Sequence, residues 1–402
     1  MRKQHLTLIL LCGSLGAVAD ERLADPAKST LFGDNVQFRG HLENARVKFE
    51  RQKTGTVAFI GGSITEMEGY RPLVCSLLQK RFPETKFKFI AAGIGSTCST
   101  TGAFRLDRDV LSEGPVDLFF VEFAVNDDQD AHHSRAECIR GLEGILRHAR
   151  QKNPAMDIVV TFFVNPTMLK TLQEGQTPLT IEAHTAVAQH YQVSTINLAK
   201  EVADEIAAGQ LTWQKFGGTH PAPAGNAIAA QMMDELFSRA RWNQPLSPEV
   251  KPAAHTLPPP LDELNYAAGR FVDPKLAHNK PGWTLEIPDW KKLPGSKRSR
   301  YTSVPMLCAT TPGAETSLAF EGTAVGAFVV AGPDAGILEA SVDGGAFHAV
   351  DLFHGYSKGL HYPRTVLFGA ELKPGPHTLT LRVAAETHSA GHAARILQFT
   401  VN

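Results

Sequence analysis

The stretch Val57-Ala58-Phe59-Ile60-Gly61-Gly62-Ser63-Ile64-Thr65 runs from an apolar strand-like segment into two glycines and then a hydroxyl residue. A helical pattern follows over residues 70–81. In an open α/β sheet such a junction is the carboxyl end of a strand, where ligands and catalytic groups collect. The glycines allow a sharp turn and a close backbone approach. Ser63 there either caps a helix or is held out of the core, its own N–H near the positive end of the next helix.

Working outward, strands and helices alternate. Apolar runs at 57–60, 87–92, 116–125, 157–164 and 193–198 read as five strands, the second ending at Gly93-Ile94-Gly95-Ser96-Thr97. Helical patterns fall within 36–51 and at 70–81, 104–111, 134–151, 178–191, 200–208 and 223–239. Short apolar strands separated by helices predict a parallel five-stranded sheet covered on both faces. With right-handed crossovers this is a three-layer α/β/α sandwich.

The character changes after Arg241. Pro245, Pro248, Pro252 and Pro258-Pro259-Pro260 make 242–262 either a stiff linker or a chain wrapping a surface. Beyond it, β-type segments at 284–287, 316–321, 326–331, 337–342, 365–368, 377–383 and 396–401 are punctuated by Gly and Pro. Val342-Asp343-Gly344-Gly345 is a hairpin signal. The pattern predicts an antiparallel β-sandwich of jelly-roll type. The expected division is thus 1–19, 20–241, 242–262 and 263–402.

The first of those segments reads as an export signal. Arg2 and Lys3 precede an apolar run from Leu6, and Ala17-Val18-Ala19 is an A-x-A site, so cleavage after Ala19 and a secreted or periplasmic location are expected. Leu11 before Cys12 is too large for a lipoprotein site. No later apolar run is long enough to span a bilayer. The 402 residues carry 40 Lys+Arg against 41 Asp+Glu with no basic stripe, which argues against nucleic acid as the partner. Cys75, Cys98, Cys138 and Cys308 lack C-x-x-C spacing; buried thiols and a disulfide both stay open.

Four polar sites converge on one edge of the proposed sheet: Ser63, Gly95-Ser96, Asn126 at the end of the third strand, and His220 before the last helix. A serine needs a base, which His220 can be, and a tetrahedral intermediate needs donors aimed at its oxyanion. Backbone N–H groups at Ser63 and in the Gly95-Ser96 turn, with the Asn126 amide, are candidates.

Gly61-Gly62-Ser63-Ile64-Thr65 resembles the first block of the SGNH (GDSL-type) hydrolases. Gly95-Ser96 sits in their glycine block, Ala124-Val125-Asn126-Asp127 looks like their G-x-N-D block, and His220-Pro221 is similar to their D-x-x-H-P block. The resemblance covers roughly residues 55–240, with the blocks in family order. It implies a flavodoxin-like fold, Ser63 as nucleophile, His220 as base and Asn126 as an oxyanion donor. It also implies ester hydrolysis, often of acetyl groups on carbohydrates, without metal or organic cofactor. The partner would then be a small-molecule or polysaccharide ester. Gly217 stands where the family has Asp, which predicts a Ser–His dyad or, alternatively, an inactive carbohydrate-binding or adhesion protein. A carbonyl near Gly217 could orient the ring instead. The family glycine aligns with either Gly95 or Ser96.

Other features compete for attention. Glu122 is either a substitute triad acid or a structural carboxylate within the third strand. Gly355-Tyr356-Ser357-Lys358-Gly359 matches a nucleophile elbow, but it lies amid hairpins rather than in a strand–turn–helix and reads as a loop. Residues 127–133, rich in Asp and His, fit no compact metal site and read as a polar loop at the site's rim. Phe353, Tyr356 and Tyr362 serve either as core or as sugar-stacking faces.

Overall fold

The computed structural model describes residues 32–402. The expected export signal, with Cys12 and the cleavage site after Ala19, lies outside them. The first sheet has six strands: β1 (Val36–Gln37), β2 (Thr54–Gly61), β3 (Lys86–Gly93), β4 (Leu118–Glu122), β5 (Asp157–Phe162) and β6 (Ser194–Asn197), in the order β1-β6-β5-β4-β2-β3. Five are parallel, as the sequence predicts. The sixth, β1, pairs antiparallel with β6 and places Val36 in an edge strand rather than a helix. Every residue of β4 and β5 is buried, which is why those runs are continuously apolar instead of alternating.

The covering helices are α1 (Glu43–Glu50), α2 (Ser63–Glu66), α3 (Tyr70–Arg81), α4 (Ser99–Asp109), α5 (Ala124–Gln129), α6 (Arg135–Lys152), α7 (Pro166–Gln173), α8 (Leu179–His190), α9 (Leu198–Ala207), α10 (Trp213–Phe216) and α11 (Pro223–Arg239). Local chemistry sets several of their starts. Ser134 Oγ accepts from the Glu137 N–H (3.2 Å) to cap α6, and Pro223 opens α11, where no N–H is needed. The helix expected at 104–111 begins five residues earlier, at Ser99, because Asp127 accepts from both the N–H and the hydroxyl of Ser99 (2.7 Å each).

The proline-rich stretch wraps a surface. Its carbonyls, which cannot all find backbone partners, are met by helix side chains: Asn44 Nδ2 on Ala253 (2.9 Å), Arg150 on Thr256 (3.2 Å) and Arg147 on Pro258 (2.7 Å). Glu143 then accepts the N–H groups of Leu261 (2.6 Å) and Asp262 (2.9 Å). His255 stacks on His41 with ring centres 4.1 Å apart and bonds the buried Asp157 at 2.7 Å.

Beyond it lie two antiparallel sheets. They are built from β7 (Arg270–Val272), β8 (His278–Asn279), β9 (Trp283–Glu286), β10 (Met306–Ala309), β11 (Glu315–Glu321), β12 (Val325–Ala331), β13 (Ile337–Val342), β14 (His348–Asp351), β15 (Tyr362–Gly369), β16 (Pro376–Val383) and β17 (Ala394–Val401). One sheet runs β15-β12-β17-β10-β9 with β7 beside β17, the other β14-β13-β16-β11-β8. Leu307, Val329, Leu338, Leu381, Ile396 and Phe399 are among the side chains buried between them. The predicted hairpin joins β13 to β14, with Asp343 (φ +54°) and Gly344 (φ +73°) both left-handed. The four described cysteines are free thiols, Cys75 half-buried and the others buried. Among the described residues no helix is long and apolar enough to cross a membrane.

Candidate active site

Strand order creates the site. The chain leaves β2 for β3 at one edge, then returns to β4 on the other side of β2, so a crevice opens between the carboxyl ends of β2 and β4. Register sharpens this, because Gly61 lies level with Gly93 of β3 and with Glu122 of β4. Ser63, Gly95-Ser96 and Asn126 therefore leave the sheet side by side. The buried Arg105 closes the platform below them, donating to the carbonyls of Ala92 (2.7 Å) and Gly61 (3.0 Å).

Ser63 is the first residue of α2, and its Oγ lies 2.7 Å from His220 Nε2. His220 arrives on the turn between α10 and α11, not from a strand end, and is exposed. Among the described residues neither a carboxylate nor the Gly217 carbonyl bonds its ring. The reason for glycine at 217 is steric: the residue ends α10 at φ +106°, and a Cβ there would overlap the backbone nitrogen of Ala222.

Asn126 sits within α5, because the chain turns helical at Ala124 rather than continuing the strand to 125. Its amide lies across Gly62, where a Cβ would overlap Asn126 Oδ1. One amide N–H is donated to Asp130 Oδ2 (2.7 Å), leaving a second. Of the two candidates on the neighbouring loop, Gly95 is ruled out as a free donor: its N–H is given to Glu66 Oε2 (2.8 Å). Ser96 remains, half-buried and left-handed at φ +70°.

Glu122 does not reach His220. It is fully buried behind Gly62 and Thr65, accepting from Thr65 Oγ1 at 3.3 Å. Burial pushes its carboxyl up to about 8 against those hydrogen bonds, with Asp127 and Asp130 adding to the rise. The expected polar rim loop is also different: 124–129 is helical and Asp127 is fully buried. Burial would raise Asp127, but the charge of His133, 3.5 Å away, and the contact with His184 (3.0 Å) hold it well below the usual carboxylate range. Asp127 thus bonds Ser99 and His184 and lies 3.5 Å from His133. The elbow mimic forms a 3₁₀ turn, Gly355–Lys358, in which buried Ser357 accepts from the His354 N–H (3.2 Å).

Three side chains with no motif of their own also reach the site. Arg298, just before the helical turn Ser299–Thr302, donates to the Gly95 carbonyl (2.7 Å) and to Ser96 Oγ (2.8 Å). Tyr362 donates to Asp130 Oδ1 (2.6 Å), and His354 Nε2 bonds the Asp130 carbonyl (2.9 Å). Tyr362 and His354 stack with centres 4.5 Å apart, and the exposed Tyr356 lies beside Tyr362 at 5.6 Å.

A model of the GDSL-like lipase/acylhydrolase family matches residues 59–228. No curated protein matches the chain by sequence. Among solved structures it is similar to a two-domain esterase active on acetylated mannans, co-crystallised with mannopentaose, at 21% identity and TM-score 0.73 over 92% of this chain and 97% of that one. A second crystal structure of a two-domain esterase active on acetylated mannans gives 22% identity with the same coverage and TM-score. The likeness is one of fold and spans the α/β sheet and the β-rich region alike.

Proposed function

Starting from residues 59–228 as a GDSL-like lipase/acylhydrolase domain, hence a carboxylic ester hydrolase, we propose that the protein is an exported esterase removing acyl groups, most simply acetyl, from a carbohydrate through a Ser63–His220 dyad. The observation that carries this reading is the 2.7 Å approach of Ser63 Oγ to His220 Nε2, beside the Asn126 amide. Ser63 Oγ attacks the ester carbonyl carbon as its proton passes to Nε2, and the carbonyl electron pair moves onto oxygen. Asn126 Nδ2–H and the N–H groups of Ser96 and Ser63 receive that oxyanion. The C–O bond to the sugar then breaks, and the sugar oxygen takes the proton from Nε2. Water repeats the sequence on the acyl-serine, giving up a proton to Nε2 and releasing the acid while Ser63 recovers its hydrogen.

The carbohydrate part of the reading is supported by the fold likeness to the mannan-active esterases and by the export signal in the sequence. Purified protein should hydrolyse p-nitrophenyl acetate and release acetate from an acetylated glycan, acetylated mannan being the first to try. Ser63→Ala should abolish both; turnover that persists in that variant would falsify the assignment. Gly217 favours a second reading, an inactive carbohydrate-binding scaffold. Glycan binding without fluorophosphonate labelling of Ser63 would select it.

A further inference from the structure

We infer that Arg298 and Tyr362, both contributed by the β-rich region, are positioning residues for two of the oxyanion donors: Arg298 for the Ser96 N–H and Tyr362, through Asp130, for Asn126. The inference rests on the esterase reading above and concerns how its site is held.

The argument for Arg298 is one of peptide geometry. The Gly95 carbonyl and the Ser96 N–H belong to one planar trans peptide and point in opposite directions. A guanidinium fixed on that carbonyl at 2.7 Å therefore fixes the line along which the Ser96 N–H is aimed. The second Arg298 nitrogen, 2.8 Å from Ser96 Oγ, pins the far side of the same residue. Such restraint is needed, because Ser96 is a non-glycine residue at φ +70° and that conformation persists only where the surroundings over-determine it. The preceding peptide is pinned as well, since the Gly95 N–H goes to Glu66 (2.8 Å), and Glu66 in turn faces Arg300 (3.1 Å) and Arg298 (3.8 Å). Glu66 lies three residues after Ser63 on α2, so the nucleophile's helix, the donor loop and the β-rich region share one charged network. A cation on a peptide carbonyl also polarises its N–H into a stronger donor.

The other donor is held by a relay. Asn126 gives one amide N–H to Asp130 Oδ2 (2.7 Å), and Asp130 Oδ1 accepts the Tyr362 hydroxyl at 2.6 Å. His354 bonds the carbonyl of the same Asp130 at 2.9 Å. Burial and the neighbouring Asp130 carboxylate keep the Tyr362 hydroxyl protonated, so it donates throughout the working range. With Asp130 gripped at side chain and main chain, Asn126 loses rotational freedom and its remaining N–H stays aimed.

The test is steady-state hydrolysis of p-nitrophenyl acetate by the full chain and its variants, with melting curves taken in parallel. Removing a donor of this kind costs about 10²–10³ in turnover, and loosening one should cost less, so Arg298→Met should lower kcat about 10–100-fold. KM should stay within about threefold, because the ground-state ester makes little use of the donors. Arg298→Lys should recover part of the loss, since one ammonium cannot serve both acceptors in the guanidinium's geometry. Tyr362→Phe, which removes a single hydroxyl bonded to Asp130 (2.6 Å) and lying 3.4 Å from the Ser96 carbonyl, should lower kcat about 5–20-fold. Glu371→Ala, which breaks the 2.8 Å pair with Arg140 between the same two regions but touches neither donor, should leave kcat unchanged. Should Arg298→Met fail to fold, Arg298→Lys and Tyr362→Phe carry the test. Folded variants with lowered melting points and wild-type kcat would overturn the inference. Failure of the esterase reading looks different: wild-type protein itself would show no turnover above that of Ser63→Ala.

Discussion

Replacing Gly217 by Asp would restore, on paper, the carboxylate that the family pattern places three residues before the histidine. The structure says that it should fail as a repair. Gly217 holds φ +106°, a conformation that costs a side-chain-bearing residue about 1–3 kcal/mol. A Cβ there also overlaps the Ala222 nitrogen, whose N–H closes the His220 turn by bonding the Phe216 carbonyl at 2.8 Å. Forcing atoms into a packed site costs about 1–3 kcal/mol more. The sum, about 2–6 kcal/mol, should lower the melting temperature by at least about 4 °C. Relieving the overlap moves the turn that carries His220, and a displacement near 1 Å at a reacting group costs about 10²-fold in rate. Gly218→Asp separates the two causes, because Gly218 is also left-handed (φ +82°) but has open space around its Cβ position. That variant should show the strain alone, about 1–3 kcal/mol. Circular dichroism melts and p-nitrophenyl acetate turnover read both quantities. A Gly217→Asp protein as stable as wild type and equally or more active would refute this account of the turn.

Asn126→Ala should lower kcat by about 10²–10³ with little change in KM, and an unchanged kcat would remove Asn126 from the oxyanion site. Glu122→Gln should be active and should alter the pH dependence of stability. The folded carboxyl is raised to about 8, so its contribution is complete below the ordinary value near 4.5 and is lost as pH rises through 8. The glutamine variant lacks that decline, and denaturation curves should show its stability relative to wild type growing by at least about 1.4 kcal/mol between pH 5 and 9; parallel pH profiles would mean that Glu122 is not buried as a neutral acid. His255→Ala should cost about 1.5–3 kcal/mol in chemical denaturation, from the bond to buried Asp157 and the stack on His41, with kcat untouched. A fall in kcat at full stability would tie the wrapping segment to catalysis instead.

The parallel sheet was legible because strands buried on both faces must be apolar along their whole length, and the runs at β2, β4 and β5 have no other economical reading. The edge strand β1 was not, since two residues carry no periodicity. Asn126 was assigned to the end of a strand but lies on a helix, because Val121, Phe123 and Val125 extend the apolar run past the point where the chain turns into α5. The same ambiguity hid Asp127 and Asp130, whose charges suggest a solvated loop and whose partners, Ser99, His184 and Tyr362, lie far away in sequence. Arg298 left no local signal at all. It acts on a carbonyl, a group every residue has, and only the fold reveals which one.

Gly217 poses the last question, how His220 would work as the base of the proposed dyad without a carboxylate behind it. A buried imidazole would need one, because its second N–H must be paired and the cation formed on taking a proton has no water to stabilise it. His220 is exposed. Solvent can pair Nδ1–H, leave Nε2 as the acceptor facing Ser63 at 2.7 Å, and hydrate the transient imidazolium. What solvent cannot do is fix the ring's direction, and that task falls to the turn itself, closed by the Ala222–Phe216 bond that only glycine at 217 permits. In this arrangement the missing acid and the exposed base are one feature, and the Gly217 substitution tests both at once.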